Sequence, residues 1–125
     1  MSDPLIGVVE DDDAVRGSIV LLLENNGFRV QAYESAELFL AYADLAGFEG
    51  LILDVRLPGM SGLELLEQVT HRRLPTIVIT GHEDRSSFAE VISEGRVHFL
   101  SKPFDPLNFL KVLMNALGHS SDMRR

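Results

Sequence analysis

At 125 residues and 46% hydrophobic content, the chain is the size of one ordinary domain and has enough apolar side chain for a real core. A formal net charge of -8 argues against direct binding to nucleic acid, whose phosphates need clustered Lys and Arg. The chain has no cysteine, so disulfides, thiolate nucleophiles and Cys-based metal sites are excluded; MSDPLIG lacks the parts of a signal peptide, no apolar run approaches a membrane span, and a cytoplasmic protein is expected.

The first apolar run, Leu5 to Val9, reads as a buried strand. Glu10, Asp11, Asp12 and Asp13 follow it directly. Like charges this close repel, and each carboxyl pKa would rise unless a cation stands nearby, so this strand tip calls for a positive partner. Residues 14 to 25 carry Val15, Ile19, Leu22 and Leu23 on one helical stripe, and Asn26-Gly27 ends it. Phe28 to Tyr33 is a second strand, and Ser35 can cap a helix holding Leu38, Phe39, Tyr42 and Leu45. Leu51 to Leu53 is a third strand. Ser61 and Glu64 form an S-x-x-E capping box ahead of Leu65, Leu66 and Val69. Next come a fourth strand, Thr76 to Thr80, and a helix over residues 84 to 94 with Phe88, Val91 and Ile92, closed by Gly95. His71-Arg72-Arg73 reads as the basic end of the third helix. Val97 to Leu100 is the fifth strand. Asp105 is placed to cap a last helix with Pro106 at its first position, ahead of Leu107, Leu110, Leu113, Met114 and Leu117. The tail from Gly118 to Arg125 is polar and expected to fray.

Strand then helix, five times over, predicts an α/β three-layer sandwich: a five-stranded parallel sheet, buried on both faces and flanked by five helices. Ligands of such sheets sit beyond the carboxyl ends of the strands. The first strand ends in Glu10-Asp11, the third in Asp54, the fourth in Thr80 and the fifth in Lys102-Pro103; the second, ending at Tyr33 to Ser35, offers nothing comparable. Carboxylates converging from two strands make a hard oxygen pocket suited to Mg²⁺ (or Mn²⁺). The Lys102 ammonium is a second cation, and Thr80 adds a hydroxyl. Together they describe a phosphoryl site in which an Asp can act as nucleophile and become an aspartyl phosphate. Lys102-Pro103 is expected to be cis, which would turn the ammonium back toward the acids.

Four segments carry a family likeness: VVEDD with Arg16, LILDVRLPGMSGLELL, PTIVITGH and FLSKPF. On them, in this order, the chain resembles the receiver domain of two-component response regulators over essentially its whole length. DVRLPGMSG, ITGHED and KPF are similar to the FixJ-like branch. The resemblance implies a flavodoxin-like fold with strand order 2-1-3-4-5, a receiver domain over residues 1–118 and a flexible tail over 119–125. It implies that Asp54 is the phosphoacceptor and that Mg²⁺ is held by Asp11, Asp54 and the backbone carbonyl of Arg56. Glu10 stands where the family often has Asp and would hold a metal-bound water. Thr80 would grip a phosphoryl oxygen, and Lys102 would pair with the phosphate. Phe99 falls at the family's aromatic whose rotamer follows Thr80; without a hydroxyl it would act by packing, or simply belong to the core. Arg56 and His82 either screen the phosphate from attacking water or face solvent. Asp12 and Asp13 read as a solvated helix start, favoured by the macrodipole.

The resemblance further implies a histidine kinase or histidine phosphotransfer protein as phosphodonor. The chain would be a phosphoacceptor rather than an enzyme, supporting its own phosphorylation and slow autodephosphorylation. Its output would be phosphorylation-dependent homodimerisation, or docking of another protein, through the face made by the fourth helix and fifth strand, Asp84 to Leu100. A haloacid-dehalogenase phosphatase also uses an Asp nucleophile, but it needs an acid two residues later, where Arg56 cannot donate a proton. A flavodoxin-like mononucleotide module would need a Gly-rich or Ser/Thr-rich loop after the first strand, where four acids stand instead. A receiver working unphosphorylated is opposed by the complete set of site residues.

Overall fold

Five parallel strands form one sheet in the order β2-β1-β3-β4-β5. They are β1 (Leu5–Val9), β2 (Arg29–Tyr33), β3 (Gly50–Asp54), β4 (Thr76–Thr80) and β5 (Val97–Ser101). The computed structural model describes residues 3–69, 74–80 and 97–118. The expected helix over 84 to 94, the basic stretch His71-Arg72-Arg73, His82 and the tail from 119 to 125 lie outside the described residues.

Apolar run and strand agree to within a residue at each end: β3 gains Gly50 and Asp54, β5 gains Ser101, and Phe28 falls outside β2 because its N–H bonds Leu23 O at 3.1 Å at the end of the first helix. β3 begins at Gly50 and includes Asp54, which pairs with Ile79 across the ladder. Burial on both faces holds throughout β3 and β4, and from Ile6 onward in β1. It fails for β2, where Arg29, Gln31 and Ala32 are exposed, because this edge strand has a neighbour on one side only.

The alternation of side chains along the strands divides the core in two. Val9, Leu51, Leu53 and Val78 join Phe39, Leu65, Leu66 and Val69 on one face. Ile6, Val8, Ile52, Ile77 and Ile79 join Ile19, Leu23, Phe109 and Leu113 on the other. Hence α1 (Asp13–Glu24) and the C-terminal helix (Pro106–Ala116) cover one side, while α2 (Ala36–Tyr42) and α3 (Gly62–Val69) cover the other. Truncating one of these fully buried large residues to Ala would cost roughly 2–5 kcal/mol.

The helix starts follow the capping chemistry. Asp12 Oδ1 accepts the Val15 N–H at 3.0 Å. Ser35 Oγ accepts the Leu38 N–H at 3.1 Å. Ser61 and Glu64 cap one another's amides at 2.9 and 3.1 Å. Asp105 Oδ2 accepts the Asn108 N–H at 3.1 Å, with Pro106 opening the helix.

Two helix stripes differ from expectation. α2 stops at Tyr42, and Leu45 lies in a separate 3-10 turn, Leu45–Gly47, led by Asp44. The short helix buries Ala36 and Phe39 and leaves Leu38 and Tyr42 exposed. In the C-terminal helix, Leu107 is 71% exposed; Phe109 and Leu113, one turn apart, are the buried pair. Phe109 also stacks on Phe104, with ring centroids 5.4 Å apart.

Candidate functional site

Parallel pairing in register brings the carboxyl ends of the strands to one edge. Val9 lies beside Leu53, Leu53 beside Val78, and Thr80 beside Ser101. The chain leaves each strand still tethered to its neighbour: the Glu10 N–H bonds Tyr33 O at 3.0 Å, Val55 N–H bonds Ile79 O at 3.1 Å, and Lys102 N–H bonds Thr80 O at 3.1 Å. Glu10, Asp54, Thr80 and Lys102 therefore converge from four elements, as their positions in the sequence predict.

At the centre is Asp54, 5% exposed. Its Oδ1 accepts the Arg56 N–H at 2.9 Å, and its Oδ2 accepts Lys102 Nζ at 2.7 Å. Both oxygens are held, so the carboxylate has a fixed plane. Lys102 also lies 3.8 Å from Glu10 Oε1. The Lys102-Pro103 peptide is cis, as expected.

Glu10 is the unusual member. It is buried, and its Oε2 accepts the Asp12 N–H at 3.1 Å. Its Oε1 is buried without a hydrogen-bond partner. Burial first, and then the Asp54 carboxylate beside it, push the Glu10 pKa up to about 7; the Asp12 amide and Lys102 pull the other way. Burial acts to lower the Lys102 pKa, but the Asp54 carboxylate outweighs it, and the ammonium titrates above its ordinary range.

Oxygens of Glu10, Asp11 and Asp54 lie within 4.8 Å of one another. An orphaned buried carboxylate oxygen within an all-oxygen cluster fits a hard divalent cation, which would supply the missing partner. Arg16 supplies another positive charge at the tip of β1. It donates to the Glu10 carbonyl at 2.8 Å and pairs with Asp13. It thereby braces the start of α1 and leaves the side chains of Glu10 and Asp11 to the site.

Thr80, the last residue of β4, is 1% exposed. Phe99, beside Val78 in the ladder, packs half-buried against the core on the α2 and α3 side. The Arg56 side chain is exposed. A mostly apolar pocket of about 500 Å³, lined by Val15, Ser18, Lys102, Pro103 and Phe104, opens beside the site.

Two residues without a role in the sequence reading shape this edge. A Cβ on Gly62 would lie 2.5 Å from the Asp54 carbonyl oxygen and 2.7 Å from Val55 Cα. Only glycine lets α3 begin this close to β3, and the Gly62 N–H bonds Val55 O at 3.1 Å. The available signal was a glycine directly after the capping-box Ser61, where helix propensity gives no reason for one. The other residue is Glu37 of α2, whose Oε2 accepts the Met60 N–H at 2.7 Å.

Residues 6–114 match the family model for the response regulator receiver domain. The chain is 38% identical over 121 residues to the transcriptional regulatory protein FixJ of Rhizobium meliloti (strain 1021), covering 95% of this chain and 59% of FixJ. It is 36% identical over 128 residues to the response regulator protein TodT of Pseudomonas putida, covering 99% of this chain and 56% of TodT. The crystal structure of FixJ-N matches with a TM-score of 0.78 at 37% identity, covering 95% of this chain and 97% of that one. The chain thus spans a little over half the length of these two curated relatives.

Proposed function

This chain belongs to the response regulator receiver domain family, and on that footing we propose that it takes a phosphoryl group on Asp54 from the phosphohistidine of a histidine kinase or phosphotransfer protein. The observation that carries the assignment is a buried Asp54 carboxylate, pinned by Lys102 at 2.7 Å and clustered with Glu10 and Asp11. As a receiver domain of two-component signalling, it acts as a phosphoacceptor that supports its own phosphorylation and slow autodephosphorylation.

In the transfer, an Asp54 oxygen attacks phosphorus, the P–N bond breaks, and its electron pair leaves on the imidazole. The Arg56 N–H at Oδ1 and Lys102 at Oδ2 hold the carboxylate ready, which removes an orientational cost. As charge moves from the carboxylate to the phosphoryl oxygens, the Lys102 ammonium can follow it without leaving the site. The buried Thr80 hydroxyl takes one phosphoryl oxygen. Bound Mg²⁺ (or Mn²⁺), held by Asp11, Asp54 and the Arg56 carbonyl with Glu10 holding a metal-bound water, would neutralise phosphoryl charge.

The apolar pocket between α1 and the chain after β5 offers the phosphodonor protein a contact beside Lys102. Output runs through the face over residues 84 to 100, of which Val97 to Leu100 are described, as homodimerisation or docking of another protein. The cytoplasm is the compartment this reading requires; no described helix is long and apolar enough to cross a membrane. The phosphatase reading has no support, since Arg56 stands where that chemistry needs an acid.

Acetyl phosphate and Mg²⁺ should add one phosphoryl group to the wild type, read by intact mass, and none to Asp54→Asn. Equal incorporation in both would overturn the assignment.

A further inference from the structure

The connection between β3 and α3 carries the Arg56 backbone, and three ties hold it near its two ends. The Arg56 N–H bonds Asp54 Oδ1 at 2.9 Å, Leu57 sinks into the core, and the Gly62 N–H bonds Val55 O at 3.1 Å. The turn Pro58-Gly59-Met60 is held from elsewhere in the chain. Glu37, in the first turn of α2 and 23 residues distant, accepts the Met60 N–H on Oε2 at 2.7 Å. Gly59 has φ +73°, and a Cβ there would come within 2.4 Å of the same oxygen. The carboxylate is seated in space that a side chain at position 59 would fill.

We propose that Glu37 is a positioning residue for the phosphoryl site: by fixing the turn at Met60 it holds the Arg56 backbone in place and sets how tightly the site binds its divalent cation. The inference rests on the assignment of Asp54 and the Arg56 carbonyl to that cation. A turn released from α2 must be ordered again when the cation binds. The loss therefore falls on affinity and spares the rate at saturation.

The test compares wild type, Glu37→Gln, which keeps an acceptor oxygen, and Glu37→Ala, which does not. In the metal-free protein, hydrogen exchange at the Met60 and Arg56 amides should speed up by about fivefold or more in Glu37→Ala and stay within about twofold in Glu37→Gln. The Mg²⁺ concentration for half-maximal phosphorylation by acetyl phosphate should rise roughly three- to tenfold in Glu37→Ala, with the saturated rate within about twofold of wild type. Faster exchange at Met60 with Arg56 and the Mg²⁺ midpoint unchanged would overturn the proposal. So would a Glu37→Gln variant as impaired as Glu37→Ala, or a lowered melting temperature as the sole effect. If wild type takes no phosphate, the reading of the site fails, while the metal-free exchange still decides whether Glu37 holds Arg56.

Discussion

The end of β1 and the start of α1 share an unbroken run of acids, yet they treat charge in opposite ways. Glu10 ends a strand in a parallel sheet, where it is 2% exposed, partly unpaired and difficult to ionise. Asp12, two residues on, is exposed and occupied by the Val15 N–H, and Asp13 pairs with Arg16. A helix start satisfies a carboxylate with its own unpaired amides and its dipole. At the strand ends single amides take only one oxygen each, Asp12 N–H on Glu10 Oε2 and Arg56 N–H on Asp54 Oδ1, and Glu10 Oε1 is left without a hydrogen bond. Asp11 lies at the divide, exposed but within the acidic cluster.

The sharpest way to break this contrast is to remove the central strand-end acid. Asp54→Asn should abolish phosphorylation by acetyl phosphate, whereas Asp12→Ala should retain it; phosphate on the Asn variant would move the nucleophile elsewhere. Next, Asp11→Ala should weaken Mg²⁺ binding by about tenfold or more, and Asp12→Ala by no more than about twofold. Comparable losses in calorimetric titration would erase the boundary between the two regions.

A pH series on metal-free protein tests the strand end alone. The folded state holds the Glu10 proton more tightly than the unfolded chain, with a pKa near 7 against an ordinary 4.5. The stability contributed by this proton is full below pH 4.5 and is lost as pH rises through 7. Relative to Glu10→Gln, the wild type should therefore lose stability over that window, on the order of 1 kcal/mol, in urea unfolding with chelator present. A parallel pair of curves would show that Glu10 is not confined as described. The smallest effects belong to the helix start: Asp12→Ala should cost ~0.5–1 kcal/mol as a lost cap, and Asp13→Ala a few tenths, ~0.3 kcal/mol, as an exposed pair with Arg16.

The strand-end residues were legible because strands are short, apolar and punctuated: Asp54 is the first polar group after its run, Thr80 closes its run, and Lys102 is the first charge beyond the fifth. Capping was legible for the same reason: Ser35, Ser61 and Asp105 act on amides three residues away, and Asp12, read only as part of a solvated helix start, caps in the same way. What escaped was contact across longer separations. Glu37 looks like any exposed helix acid until Met60 is folded over it. Gly62 looks like a poor helix residue until β3 lies against it. The misassigned stripes have a different cause. A seven-residue helix makes barely two turns, so Leu38 and Tyr42 fit an apolar face as well as Phe39 does. At the C-terminal helix, Leu107 lies about 200° around the axis from Phe109, so with Phe109 and Leu113 on the buried face it points to solvent.

The bond from Lys102 to Asp54 spans 48 residues of sequence, and Glu10 reaches the same point from the first strand. An unfolded chain holds no remnant of this convergence, because closing loops of that length costs entropy that only the assembled sheet offsets. Occupancy of the edge and integrity of the sheet are therefore linked equilibria. A cation at a hundred times its dissociation constant would add about 2.7 kcal/mol to global unfolding. That gain should register as resistance to proteases whose sites open only when the sheet unfolds, far from the strand tips themselves.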